Sequence, residues 1–369
     1  MPSVPDDIRD RYVALQEFVV QAKRRLEPQG WGYLTGGTET ETAVLRNRHA
    51  LDSLGLRPRV LNDVSQVDGG AQIFGRAARL PVILAPIGGL ETFDPDGALA
   101  VARAAARFRV PMMLSSVSAW TMPKLLDAVA DESLSLVYQL YARSGADDID
   151  RLIEQAVALG TPAFCITVDS AVYSRRERDI VARFVKPWRA TGEGDAVRFQ
   201  AALNWADIAR IRARHSIPLV LKGIATAEDA RLAVEHGIDW IHVSNHGGRQ
   251  LDQVLGSVAV LPEVVDVVAG RARIIVDGGI CRGTDIAKAL ALGADAVCIG
   301  RLMCAALAAA GTDGVVRMLE ILEEEWRIVL ALLGVTAGRE LDAGFVHKGA
   351  PAMHAPATWS AFPLIDWWD

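Results

Sequence analysis

Residues 219–243 read LVLKGIATAEDARLAVEHGIDWIHV. A short apolar run, Leu219–Leu221, is followed by an amphipathic stretch, Ala227–His236, and then by a second apolar run, Trp240–Val243. Thr226 stands at the helix-capping position, and Gly237 follows the last turn, where a left-handed residue closes a helix at little cost. Both apolar runs are near-continuous rather than alternating, as expected of parallel strands covered on both faces. Strand, crossover helix and second strand make one βαβ unit.

The pattern repeats outward in both directions. Upstream lie the apolar runs Val82–Pro86, Met112–Ser115, Leu136–Leu140 and Phe164–Val168, and downstream lie Ile274–Val276 and Ala296–Ile299. Helical stripes at Asp96–Ala106, Ala146–Leu159 and Thr284–Leu292 separate several of them, and Gly160 and Gly293 close two. Eight such units predict an α/β fold, a closed (β/α)8 barrel of the TIM type. The barrel is expected over residues 80–330, after an N-terminal helical segment, 1–79, with helices at Asp7–Leu26 and Thr42–Leu56. A C-terminal segment and tail, 331–369, carries Trp359, Trp367 and Trp368, which could pack on the barrel or on a neighbour. Trp188–Phe199 reads as an inserted surface loop.

Composition bounds the function. The chain has 369 residues, 51% of them hydrophobic and 23% charged, which excludes intrinsic disorder. A net charge of −6 argues against a nucleic-acid partner, whose phosphates call for a basic surface. Cys165, Cys281, Cys298 and Cys304 form no CxxC pair and no cluster with metal-ligand spacing, so reduced thiols and no metal are expected. No secretory leader pattern precedes Tyr12, and the apolar stretch Leu302–Ala310 is about half the ~20 residues that span a bilayer. The expectation is a cytoplasmic protein with no membrane partner.

In such barrels the chemistry gathers at the C-terminal strand ends. Past Val243 comes Ser244-Asn-His246-Gly-Gly-Arg249. His246 lies beyond its strand between residues that let backbone come close, and Arg249 offers a planar grip for a carboxylate or phosphate. His242, inside the run, reads as a satisfied core residue. Lys222 ends the preceding strand as a cation facing the mouth, or as a snorkelling surface lysine. Asp169 could orient a histidine or cap a helix. Arg175-Arg176-Glu-Arg-Asp179 reads, taken alone, as a solvated charged face. Gln139, Tyr141 and Ser115 offer hydrogen bonds to a planar heterocycle, and Pro86, Ile87 and Gly88 form a small-residue loop able to lie under a ring. Asp277, Gly278 and Gly279, with Gly300 and Arg301 one unit later, have the arrangement of a phosphate site.

Taken together the motifs resemble the FMN-dependent α-hydroxy acid oxidase and dehydrogenase family, which includes glycolate, lactate and hydroxymandelate oxidases and mandelate dehydrogenase. Its signature, S-N-H-G-(G or A)-R-Q-L-D, stands unchanged at Ser244–Asp252. The resemblance runs from about Tyr33 to Arg301 and into the following helix. It implies FMN as cofactor, a 2-hydroxy acid as substrate, and O2 or another electron acceptor. It implies His246 as base, with Asp169 behind it, and Arg176 and Arg249 on the substrate carboxylate. Tyr33 and Tyr141 would bond the substrate, and Lys222 would lie near the flavin N1–O2 edge. Ser115, Gln139 and Thr167 would hold the ring, with Ser244 beside them. Asp277 would meet the ribityl chain, and Gly279, Gly300 and Arg301 the phosphate. A homotetramer is implied as well.

The chain departs from the pattern at four places. Cys281 stands where the family usually has Arg, Gly88 where many oxidases have Ala, and Val117 where some have an aromatic residue. The segment between Arg176 and Lys222 is short for the family, which suggests an open mouth and a bulky, aryl or amine substrate. Two further readings are a flavin or phosphate barrel of another activity, such as an isomerase or nucleotide dehydrogenase, and a non-catalytic barrel.

Overall fold

The computed structural model describes residues 7–184, 194–351, 353 and 355–366. Twelve strands are numbered along the chain: β1 Leu54–Leu56, β2 Ala71–Ile73, β3 Arg76–Ala78, β4 Val82–Leu84, β5 Met112–Ser115, β6 Leu136–Tyr141, β7 Phe164–Thr167, β8 Leu219–Ile224, β9 Trp240–Val243, β10 Arg273–Val276, β11 Ala296–Ile299 and β12 Val346–Lys348. β4 to β11 close into an eight-stranded parallel barrel, with β11 pairing back onto β4. Every apolar run anticipated as a strand is one of these eight, with ends shifted by a few residues. The fold is the expected (β/α)8 barrel.

Strand side chains alternate between two cores. Inward-facing Ile83, Met113, Val137, Cys165, Val220 and Ile275 fill the barrel. Outward-facing Val82, Leu84, Leu114, Ile166, Leu221 and Val276 pack beneath the helices. The helices between strands include Ala98–Phe108, Ala146–Ala158, Ala227–Glu235 and Gly283–Ala291. Gly160, Gly237 and Gly293 follow three of them at φ 69°, 69° and 101°, the left-handed closure their positions called for.

The helices of the N-terminal segment are divided differently from the expectation, and an unanticipated one, Pro28–Thr35, carries Tyr33. Asp7–Leu26 is broken into Ile8–Arg11 and Leu15–Arg25, because Glu17 turns back to accept from the Val13 and Ala14 amides and starts a new helix there. The helix from Thr42 ends at Asp52, and Leu54–Leu56 is instead β1, paired antiparallel with β12 near the other end of the chain. Local periodicity cannot show a partner so far away. β2 and β3 form a hairpin whose Ile73 and Phe74 plug the closed end of the barrel, the Phe74 ring lying 4.7 Å from that of Trp240. Part of the anticipated surface loop is helical, Gly194–Ala202, and its residues 188–193 lie outside the described ones.

The helix Arg301–Leu333 is kinked at Ala310 and Gly311 and packs against Leu15–Arg25 and Ala98–Phe108. It is long and apolar enough to cross a membrane, but two thirds of its apolar window is buried within the fold. Trp359 and Phe362 of the tail are buried in the chain's own core, so packing within the chain prevails there, while Trp367 and Trp368 lie outside the described residues.

Candidate active site

The strand ends open into one cavity. Lining it are Tyr33, Pro86, Ile87, Gly88, Tyr141, Arg176, Lys222, His246, Arg249, Asp277, Gly278, Gly279, Gly300 and Arg301. Ser115, Gln139, Thr167, Asp169 and Ser244 stand behind that wall at the ends of the same strands or just past them.

His246 is the centre. Its Nδ1 lies 3.1 Å from Asp169 Oδ1, and its Nε2 lies 3.2 Å from the Tyr141 hydroxyl. Its amide donates to Ser244 Oγ, which fixes a backbone held at φ 58°. Burial holds the imidazole below its ordinary pKa, with Asp169 opposing. Burial would raise Asp169, but His246 and Lys222 outweigh it and keep the carboxylate ionised. The seat of Asp169 is made by Gly223, at φ 114° in a bulge of β8, where a Cβ would come within 2.5 Å of the Asp169 side chain.

Beneath lies a second charged group. Lys222 Nζ donates to Ser244 Oγ, and Ser244 Oγ donates to Asp277 Oδ2. Lys222 and Asp277 are 3.6 Å apart. Burial works against both charges, yet each keeps the other ionised, the lysine raised and the carboxylate lowered. His242 lies against this pair, fully buried, with Nε2 3.1 Å from Asp277 Oδ2, while Nδ1 has no hydrogen-bond partner among the described residues. It is a core residue, as expected, but not a satisfied one.

Three arginines line the cavity without an ion pair to any described carboxylate: Arg176, Arg249 and Arg301. Arg249 donates to the Tyr33 and Gly36 carbonyls and sits 4.7 Å from the Tyr33 ring centroid. Arg176 donates to Ser174 Oγ and the Arg249 carbonyl. Burial, and then the Arg249 charge, push Arg176 down to about 10 and Arg301 down to about 9. Part-buried like charges facing each other mark a place for anions. This overturns the reading of Arg176 as part of a solvated face, while Arg175 is exposed and Arg178 pairs with Glu41.

The residues fit an FMN. Gln139 donates from Nε2 to Thr167 Oγ1, leaving its buried Oε1 without a partner among the described residues. Asp277 Oδ1 is in the same state. Such orphaned acceptors call for donors from a bound group. A planar, hydroxylated, anionic cofactor would meet Gln139, Asp277, Lys222 and Arg301 in turn.

Several contributors were not anticipated. Arg143, two residues past Tyr141, lines the cavity and donates to the Tyr173 hydroxyl; its place beyond a strand end was the available signal. Half of the Ser244–Asp252 motif holds the roof. Asn245 exchanges hydrogen bonds with Asn47, and Asp252 accepts from the Thr40 and Ala43 amides. The motif glycines make room for protein neighbours. A Cβ on Gly248 would lie 2.6 Å from the Val44 amide, and one on Gly247 2.8 Å from Arg301 Nη1.

Comparison with known proteins agrees with this geometry. Residues 22–348 match the family model described as FMN-dependent dehydrogenase. The chain is 37% identical over 357 residues to an L-lactate oxidase of Nostoc sp., covering 91% of this chain and 98% of that one. It is 39% identical over 352 residues to the peroxisomal (S)-2-hydroxy-acid oxidase GLO4 of Oryza sativa subsp. japonica, covering 90% and 95%. A crystal structure of mandelate oxidase superposes with a TM-score of 0.86 at 37% identity, over 92% of this chain and 100% of that one. With a closed barrel, a histidine–carboxylate pair at its mouth and a match over most of its length, this chain belongs to the FMN-dependent dehydrogenase family.

Proposed function

We infer that this chain oxidises a 2-hydroxy acid to the 2-oxo acid with bound FMN, electrons passing to O2 or another acceptor. The observation that carries the reading is His246, held between Asp169 and Tyr141 in the cavity that also presents Arg176 and Arg249 without a counter-ion among the described residues. FMN, when bound, takes the two electrons that leave the substrate carbon. His246, neutral because burial lowers its pKa, takes up the proton the substrate releases. Asp169 then stabilises the imidazolium. Arg176 and Arg249 grip the substrate carboxylate and fix its orientation, and Tyr33 and Tyr141 bond the hydroxy acid. Lys222, kept charged by Asp277, would offset negative charge on a bound flavin. Gln139, Thr167 and Ser115, with Pro86, Ile87, Gly88 and Ser244, would hold the ring. Asp277 and Gly278 would meet the ribityl chain, and Gly279, Gly300 and Arg301 the phosphate.

The substrate side chain would face Val117 and Val172, an apolar wall suited to an aliphatic or aryl group. The short segment before Lys222 that motivated a bulky substrate includes residues outside the described ones. We place the protein in the cytoplasm, a reading supported by four free, buried thiols. We also propose a homotetramer. The exposed apolar side chains Val60, Leu61, Ile328 and Leu332 support association, as does the Arg59 amide bonding the Leu333 carbonyl, which brings their segments together.

The test is aerobic turnover of a panel of aliphatic and aryl 2-hydroxy acids, reading 2-oxo acid and hydrogen peroxide. At least one acid is expected to react, and its amide, lacking the carboxylate, to react far more slowly. A flavin-loaded protein that oxidises none of the acids would overturn the reading.

A further inference from the structure

Beyond its backbone amides, the phosphate end of the cofactor site has few side-chain hydrogen-bond donors to spare. Arg48 lines it but spends its guanidinium on Asp52, Asp285 and the Gly279 carbonyl. Cys281 offers a buried thiol, which burial pushes up to about 12, and so brings no charge. Arg282, the next residue, points away to Glu325. Arg301 remains, with two of its nitrogens already donating to the Leu34 and Gly36 carbonyls.

The C-terminal tail crosses this end. Thr358 Oγ1 donates to the Thr35 carbonyl, beside the carbonyls that hold Arg301. On the other side the Phe362 ring lies 5.8 Å from the Arg282 guanidinium, next to Cys281. Trp359 stands between these anchors and lines the cavity with Cys281 and Arg301. It is 92% buried, and its indole Nε1 has no hydrogen-bond partner among the described residues. A buried indole N–H without an acceptor is costly and is normally matched by one.

We propose that Trp359 is a cofactor-binding residue whose indole N–H bonds the FMN phosphate, with Thr358–Phe362 as a strap across that end. The inference rests on FMN being the cofactor. It assigns the tail a role in choosing a phosphorylated flavin, supplying a donor where Cys281 supplies none.

The test titrates flavin-stripped protein with FMN and with riboflavin, which lacks the phosphate. In Trp359→Phe the dissociation constant for FMN is expected to rise roughly tenfold or more, the size of one hydrogen bond to a charged group, with riboflavin unchanged. Equal weakening of both flavins, or no change in either, overturns the proposal. On the unaltered chain, one indole N–H proton resonance is expected to move downfield with FMN and not with riboflavin. Absence of such a resonance overturns the proposal even where the variant fails to fold. Failure of the unaltered protein to bind either flavin would remove the cofactor reading itself.

Discussion

His246 has its backbone at φ 58°, a region side chains other than glycine seldom occupy, and it is held there by the bond to Ser244 Oγ. Strain of this kind persists where a side chain must be aimed. Replacing His246 by Gln removes the base, and kcat/KM is expected to fall on the order of a thousandfold or more with FMN still bound. Burial lowers the His246 pKa, so kcat/KM is flat above neutral pH and declines only in acid, below the ordinary histidine value. Asp169 raises that pKa. Asp169→Asn is therefore expected to move the acid limb further down while lowering kcat on the order of a hundredfold; a limb that moves up, or a rate that holds, would break the assigned pairing. Gly223→Ala would drive a Cβ into Asp169, and both Tm and kcat should drop. An alanine variant with unchanged Tm and rate would show that the carboxylate is not seated by that bulge. At this scale the motif residues were legible because their types and spacing are unusual. Arg143 and Trp359 were not, since an arginine in a turn or a tryptophan in a tail has no local pattern pointing to a cavity.

Among elements, the helix Thr42–Asp52 does the most to shape the site. Arg48 crosses from it to the turn after β10, with two 2.8 Å contacts to Asp285 and a bond to the Gly279 carbonyl. Both partners are almost wholly buried. Removing one leaves the other charge unpaired, so Arg48→Ala is expected to cost about 3–5 kcal/mol in urea unfolding. It should also weaken FMN binding, because Gly279 loses its anchor. Asp285 is held below the usual carboxylate range despite its burial. Its stabilising contribution is thus complete above about pH 4 and is lost as pH falls toward the lowered value, a dependence that Asp285→Asn should abolish. The strands and crossover helices were readable because each carries its own periodicity and closing glycine. β1 was not, because its partner β12 lies near the other end of the chain and leaves no mark on local sequence, and the β2–β3 hairpin was not, because its strands are only three residues each.

For the whole molecule, the barrel has a floor and a mouth with separate tasks. Phe74 closes the floor against Trp240, on the face opposite the cavity. Phe74→Ala is expected to cost about 3–5 kcal/mol, read as a lower Tm, while kcat and KM at moderate temperature stay within twofold. A large loss of kcat in a variant that remains folded would show that the floor and the mouth are coupled. The mouth joins four regions: the N-terminal helices through Tyr33 and Arg48, the strand ends, the turns beyond them and the tail through Trp359. The measurement that bears most directly on the account follows flavin absorbance after anaerobic mixing with a 2-hydroxy acid, for the unaltered protein and His246→Gln. The unaltered protein is expected to bleach, and the variant to bind flavin and acid but bleach on the order of a thousandfold more slowly. Bleaching of the variant at the same rate, or none in the unaltered protein with any 2-hydroxy acid, would contradict the account.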